Sequence, residues 1–400
     1  MSYSLRRATG WNLTGYLYLL LASFATTPTL IRALGLAAYG QYALSLALAG
    51  LISTLDLGLP RAVVYFLSQS GLTPSKRQEI LNSSLFAFSL LGSLFFLPAA
   101  IFHSLSLGIL IWLNFLLAHY LSLPESRGDF ARVNLRNFLV GTANTVGAML
   151  VALAGFGVTG ILYLLSFSTL LTIILVYVPA HPFSSRQTLK AFFVYGVKSW
   201  LGKLVGSVQG QYAKFLLASS PLALASYTLG SSLISRLVGG VTQVSTALFP
   251  YSVSARGNSR FRHLYLRLQL SLVLLGVLAT LLYQAFGLPF LSWWLGDYSL
   301  AASVHSFLLI YRFYALLLLL TPLASTVIDS LGKPLMTSFL GLATLVIEVT
   351  FTWVYLPQLG LLSPAYGALL SLILIVPVLL IYTERILRQI GNLSRSTPDA

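Results

Sequence analysis

Apolar residues run through this 400-residue chain in long stretches separated by short polar or basic connections. About twelve of the stretches reach the ~20 residues that a helix needs to cross the hydrocarbon of a bilayer. They fall near 10–32, 39–68, 80–102, 105–123, 137–155, 158–179, 193–217, 222–249, 264–287, 302–328, 335–356 and 362–383. A lipid-exposed run of that length satisfies its backbone polar groups internally as a helix. The pattern therefore predicts an all-α integral membrane protein with twelve transmembrane helices. The first stretch follows Arg6 and Arg7 as a signal peptide would, but it is longer than the usual apolar core of one and many spans follow it. It reads as a retained anchor.

Composition narrows the class. The chain is 57% hydrophobic and 8% charged, with mean hydropathy +0.84, whereas a soluble protein carries roughly 25% charge. A soluble globular enzyme is excluded, and two tails with eleven short connections leave no room for an independent soluble domain. The absence of cysteine removes disulfides, thiolate metal sites and cysteine nucleophiles. No cofactor or metal is expected.

The formal charge of +15 would suggest nucleic acid in a soluble protein. In a membrane protein it is first sorted by side, because loops left in the cytoplasm collect Lys and Arg. Eighteen of the 24 basic residues cluster at 6–7, 76–77, 127–136, 186–198, 256–267, 333 and 385–395, all on one side of the expected topology. Arg32 alone falls on the other side, and five more lie within spans. This strict alternation places both termini in the cytoplasm and makes the span number even. No nucleic-acid partner is implied.

The two halves resemble each other faintly. Gly35-Leu-Ala-Ala-Tyr-Gly-Gln-Tyr-Ala-Leu-Ser near the start and Ser220-Pro-Leu-Ala-Leu-Ala-Ser-Tyr-Thr-Leu-Gly in the second half each join the first and second spans of their half. Six spans per repeat keep both halves in the same orientation. That predicts lobes at 1–185 and 186–400, related by a pseudo-two-fold axis along the membrane normal, with a binding site between them.

Ionisable groups within spans mark the candidate chemistry, since each costs at least ~2.5–3.5 kcal/mol to insert and calls for a cavity, a partner or an escape to the interface. The basic candidates for substrate binding are Arg61, Lys203, Lys214, Arg236 and Arg312. Lys203 and Lys214 share one helix face about 16 Å apart. Snorkelling is an alternative for Arg61 and Lys214, whereas Arg236 and Arg312 lie too deep for it. The acids are Asp56 and Glu348, candidates for a proton or sodium coupling site or for structural counter-charges. Glu348 and Arg312 are expected at similar depth, where they would pair if their faces meet; Asp56 and Arg61 are ~140° apart on a regular helix and should not pair. Bases outnumber acids, so a cavity they line attracts anions and repels organic cations. His103, His119 and His305 are scattered and read as wet interfacial residues.

Other motifs fail on context. Gly155-Phe-Gly157-Val-Thr-Gly160 fits a dinucleotide fingerprint but joins two apolar spans, so it is a tight hairpin. Sequons at Asn12, Asn82 and Asn392 fall at or near the cytoplasmic side, where glycosylation does not occur. Pro28, Pro60, Pro98, Pro322 and Pro377 suggest kinks.

The run Pro28-Thr-Leu-Ile-Arg-Ala-Leu-Gly35-Leu-Ala-Ala-Tyr-Gly40-Gln-Tyr, followed by Ser53-Thr-Leu-Asp56-Leu-Gly58-Leu-Pro-Arg61-Ala62, resembles the opening of bacterial polysaccharide flippases of the O-antigen and capsule type. These belong to the multidrug/oligosaccharidyl-lipid/polysaccharide exporter superfamily. Lys198-Ser-Trp200-Leu, Tyr227, Ala247-Leu-Phe-Pro250 and Leu331-Gly332-Lys333-Pro334 extend the resemblance into the second half. Ala213-Lys214 departs from it, since relatives often carry an acid beside that base.

The resemblance implies a two-lobed exporter in the bacterial inner membrane that moves a polyprenyl-diphosphate-linked oligosaccharide from the inner to the outer leaflet by alternating access, without covalent chemistry. Membrane lipid, a proton or sodium ion and other polysaccharide-assembly membrane proteins are the implied partners. The alternatives are a cation-coupled multidrug antiporter of the same superfamily and an integral-membrane polysaccharide polymerase or ligase. The antiporter would need carboxylates to dominate the cavity. The enzyme would need a large external segment, and the longest outer connection expected is 288–301, with Asp297 its only carboxylate.

Overall fold

The computed structural model describes residues 5–69, 71–127, 129–183, 185–254, 259–330 and 333–396. Arg256 and the Leu331-Gly332 part of the quoted motif lie outside the described residues. The described chain follows the twelve expected segments in order. The first is α1 (Leu5–Leu34), and the second is divided into α2 (Leu36–Ser53) and α3 (Leu59–Leu67). Next come α4 (Pro74–Phe102), α5 (Leu105–Ser126), then α6 (Phe130–Thr142) continuing through a π-helical turn into α7 (Ala148–Leu153), and α8 (Gly157–Leu175). The second half runs α9 (Arg186–Leu216), α10 (Pro221–Ser254), α11 (Ser259–Leu295), the divided pair α12 (Tyr298–Leu318) and α13 (Thr321–Ser330), α14 (Pro334–Leu359) and α15 (Leu362–Ser396).

Among the described residues, nine helices are long and apolar enough to cross a membrane. Their outward faces fit lipid: α4 exposes Leu90, Leu94, Leu97 and Ile101 at three- and four-residue spacing, a continuous apolar stripe.

The prolines sort into two kinds. Pro28, Pro98 and Pro377 sit inside continuous helices. Pro60 and Pro322 instead open α3 and α13, each as the second residue after a break. The 288–301 connection is shorter than expected: α11 continues to Leu295, Gly296 ends it at φ +68°, and Asp297 caps α12 by accepting from the Leu300 N–H at 3.0 Å. The 155–160 hairpin forms as expected, with Gly155 and Gly157 both at positive φ.

Packing divides the chain into one compact unit of residues 1–211 and a second of 212–400. This boundary falls inside α9 and differs from the 185/186 division expected from counting spans. Two features tie the start of α9 to the first unit. The preceding loop is bonded to α4, where Gln78 Nε2 donates to Pro179 O at 3.0 Å, the His181 N–H to Asn82 Oδ1 at 2.9 Å and the Ser185 N–H to Ser83 Oγ at 3.1 Å. Thr188, already in α9, donates to Glu79 Oε1 at 2.6 Å. The second feature is the packing of α9 on the broken second segment.

Candidate functional site

In the first unit the site is built on that break. Pro60 has no N–H to continue the ladder, and Gly58 takes a left-handed turn at φ +73°, so α2 stops and α3 starts afresh. Leu57 is also left-handed at φ +54°, a conformation that costs a non-glycine residue about 1–3 kcal/mol. Its neighbours hold it there. Asp56 Oδ1 accepts from the Gly58 N–H at 2.9 Å, and the freed carbonyl of Thr54 accepts from Trp200 Nε1 at 2.5 Å.

One face of α9 supplies the other wall. Phe192, Tyr195, Gly196, Trp200 and Lys203 recur at three- and four-residue spacing. Tyr195 stacks on Tyr65 with ring centroids 4.3 Å apart, and Phe192 meets Phe66 at 5.8 Å. Gly196 permits the close approach: a Cβ there would lie 2.6 Å from the Leu57 carbonyl oxygen. The same face brings Lys203 Nζ to Asp56 Oδ2 at 2.5 Å. Asp56 is 3% exposed, while the lysine side chain keeps 46% of its surface open. The buried carboxylate is therefore anchored, and the base remains approachable. Arg61 lies on α3, exposed, and makes no ion pair with Asp56.

A cavity of about 470 Å³ opens inside this unit beside the pair, lined by Ser53, Asp56 and Lys203 together with Asn114, Glu125, Arg136 and Asn144. Ser53 Oγ is buried there without a hydrogen-bond partner. Two acids and two bases share the wall, so this chamber is charge-balanced rather than cationic.

In the second unit Glu348 on α14 is equally buried, at 3% exposure. It accepts from the Tyr212 hydroxyl at 3.2 Å, and that hydroxyl also meets Thr352 Oγ1 at 3.0 Å. Tyr227, Tyr311 and Tyr314 lie within the electrostatic reach of the carboxylate. The approach of α15 is close: a Cβ on Gly367 would lie 2.8 Å from the Glu348 carbonyl oxygen.

Arg312 does not pair with Glu348. Its Nε and Nη1 are buried without a hydrogen-bond partner, and its guanidinium lies 4.9 Å from the Phe313 ring centre. Nearby, the Tyr283 hydroxyl meets His305 Nδ1 at 2.9 Å. Lys214 on α9 and Arg236 on α10 are half-buried. His119 departs from the interfacial expectation: it is 1% exposed, lodged between α4 and α5, with Nδ1 2.5 Å from Ser84 Oγ. A buried imidazole needs a polar partner, and Ser84 supplies one.

These geometries bear comparison with known proteins. The profile of the polysaccharide biosynthesis protein family matches residues 5–126, a stretch that contains the helix break and Asp56. Among solved structures, the lipid II flippase MurJ in an inward closed conformation aligns with a TM-score of 0.75 at 12% identity, over 94% of this chain and 90% of that one. The Vibrio cholerae MATE transporter VcmN aligns with a TM-score of 0.67 at 18% identity, over 96% of both chains. The chain shares the fold of these two transporters. A MOP superfamily transporter from Pyrococcus furiosus is a further match, at TM-score 0.54 and 17% identity over 96% and 95% of the two chains. No curated protein matches the sequence.

Several site residues were not singled out from the sequence. Arg136 was counted with a cytoplasmic loop and Glu125 was passed over, yet both line the chamber. Asn114 and Asn144 carried a usable signal, a lone amide in an apolar run. Trp200 and Tyr227 belonged to the quoted resemblance, but nothing in their spacing revealed their partners.

Proposed function

We propose that the protein is a flippase that carries a polyprenyl-diphosphate-linked oligosaccharide from the inner to the outer leaflet of the bacterial cytoplasmic membrane by alternating access of two six-span lobes. The observation that carries this reading is the polysaccharide biosynthesis match over residues 5–126. The likeness in fold to a lipid II flippase supports it.

The physical case rests on the headgroup. Unpaired polar groups cost several kcal/mol each in hydrocarbon, so sugars and diphosphate need a hydrated, polar route. Arg61, Lys203, Lys214, Arg236 and Arg312 are the candidate substrate contacts, and the two unpartnered nitrogens of Arg312 are donors of the kind phosphate oxygens accept. Lys203 enters together with Asp56. The lysine stays half open to an occupant, and a proton or sodium ion is the candidate for the carboxylate. Glu348 is the corresponding ion candidate in the second lobe. With both termini cytoplasmic, outward transfer of an anion is favoured by ~2.3 kcal/mol per charge per 100 mV of inside-negative potential.

The test is reconstitution in liposomes with a labelled polyprenyl-diphosphate oligosaccharide, measuring its appearance in the far leaflet. Arg312→Gln and Arg236→Gln should each slow that appearance by about tenfold, the loss expected for a charged hydrogen bond. Unchanged rates remove the site assignment, and no transport by the unaltered protein removes the function. A multidrug antiporter is the second reading, favoured by the likeness to VcmN. Proton-driven movement of ethidium in the same vesicles would select it.

A further inference from the structure

Deepening the flippase reading and resting on it, we infer that the chamber inside the first lobe is a saccharide subsite, which takes one or two neutral sugar rings of the headgroup while the diphosphate is held elsewhere. The volume of about 470 Å³ lies within the roughly 300–1,000 Å³ of small-molecule sites. It is too small for a long repeat unit and larger than an ion needs.

Its wall argues against the diphosphate as occupant. Asp56 and Glu125 offset Lys203 and Arg136, so an anion gains no net attraction there. Among the described residues no cluster of His, Asp and Glu could hold a metal ion. What the wall offers instead is directional neutral hydrogen bonding. Asn114, in the apolar run 107–118 of α5, makes no hydrogen bond among the described residues, so its carbonyl and its two N–H donors are all available. Asn144 is oriented. The Tyr42 hydroxyl donates to Asn144 Oδ1 at 2.6 Å, which leaves the Nδ2 donors for an occupant. Ser53 Oγ, buried and unpartnered, adds a hydroxyl.

A second observation is independent of the cavity. Asn144 sits in the π-helical turn Ala143–Gly147, whose extra residue re-aims the side chains of the fifth segment. Thr145 Oγ1 donates to Gly141 O at 2.9 Å, satisfying a carbonyl at the irregularity. Such turns are costly to keep and occur often at functional sites. Amides set among leucines and a phenylalanine suit a pyranose, which has hydroxyl edges and apolar C–H faces.

The experiment uses the full chain in lipid nanodiscs and two kinds of probe. One is farnesyl diphosphate; the other is farnesyl diphosphate carrying a single glucose, N-acetylglucosamine or rhamnose. At least one sugar-bearing probe should bind about tenfold tighter than farnesyl diphosphate, the gain expected from two hydrogen bonds. That difference should vanish in Asn114→Ala and Asn144→Ala while farnesyl diphosphate binding stays unchanged. Ala118→Phe, which fills the chamber and keeps both amides in the sequence, should abolish it as well and guards against a misfolded amide variant. Arg312→Gln should weaken all probes alike. Equal binding of every probe to the unaltered protein, or a sugar-dependent gain that survives all three chamber variants, overturns the subsite and leaves the flippase reading standing. No binding of any probe overturns both.

Discussion

Asp56 and Glu348 are buried to the same degree and held in opposite ways. Asp56 lies where a helix has come apart, tied to a backbone N–H and to a lysine that stays half open. Glu348 lies in an unbroken helix and accepts a hydrogen bond from a phenol that also meets a threonine hydroxyl. The first arrangement fixes a charge and leaves its counter-charge approachable. The second gives a carboxyl group a phenol donor that suits either protonation state, since a neutral acid still accepts from a phenol. The difference is between an ion pair at a strained break, whose base an occupant can reach, and a carboxyl group whose phenol donor suits either state.

The largest effect should come from the glycine that lets α9 reach the break. Gly196→Val places branched carbons against backbone and should destabilise by about 3 kcal/mol, at the upper end of overpacking costs. Thermal unfolding in detergent measures this. A drop no larger than that of Gly367→Ala, whose Cβ meets Glu348 O and Thr352 Oγ1 at 2.8 Å, would erase the distinction between the two regions. Next comes the ion pair. Asp56→Asn should cost about 1–2 kcal/mol, discounted from a fully buried pair because Lys203 is half exposed. The double variant Asp56→Asn with Lys203→Met should recover much of that loss, and strictly additive losses would show that the pair contributes nothing as a pair. Tyr212→Phe should cost about 1 kcal/mol, the usual worth of a buried hydrogen bond. Glu348→Gln should cost less than about 1 kcal/mol, because the amide oxygen still accepts from Tyr212. A loss at Glu348→Gln as large as that at Asp56→Asn would break the contrast.

Segment number and order were legible in the sequence because apolar length is a local property that bilayer thickness enforces. The break was half legible. Gly58-Leu-Pro60 announces it, but treating 39–68 as one regular helix set Asp56 and Arg61 by a 100° rule that does not hold across residues 54–58. The partner of Asp56 was not legible at all, since Lys203 lies 147 residues away and nothing local selects it over Arg61. The same limit left the pairing of Arg312 with Glu348 conditional, since shared depth says nothing about facing one another. Glu125 and Arg136 were hidden for a different reason. Sorting basic loops by side treats a charge near a segment end as solvated, whereas these two line a chamber wall.

The attachment of α9 across two packing units bears on any attempt to dissect the protein into halves. Severing the chain at residue 185, where topology invites it, would leave the first fragment without Trp200 and Lys203, and with the Thr54 carbonyl and the Asp56 carboxylate bare. Severing it instead in the short turn 217–220 would keep α9 with the surface that matches it. Co-expressed pieces joined at that later point are the ones expected to reassemble.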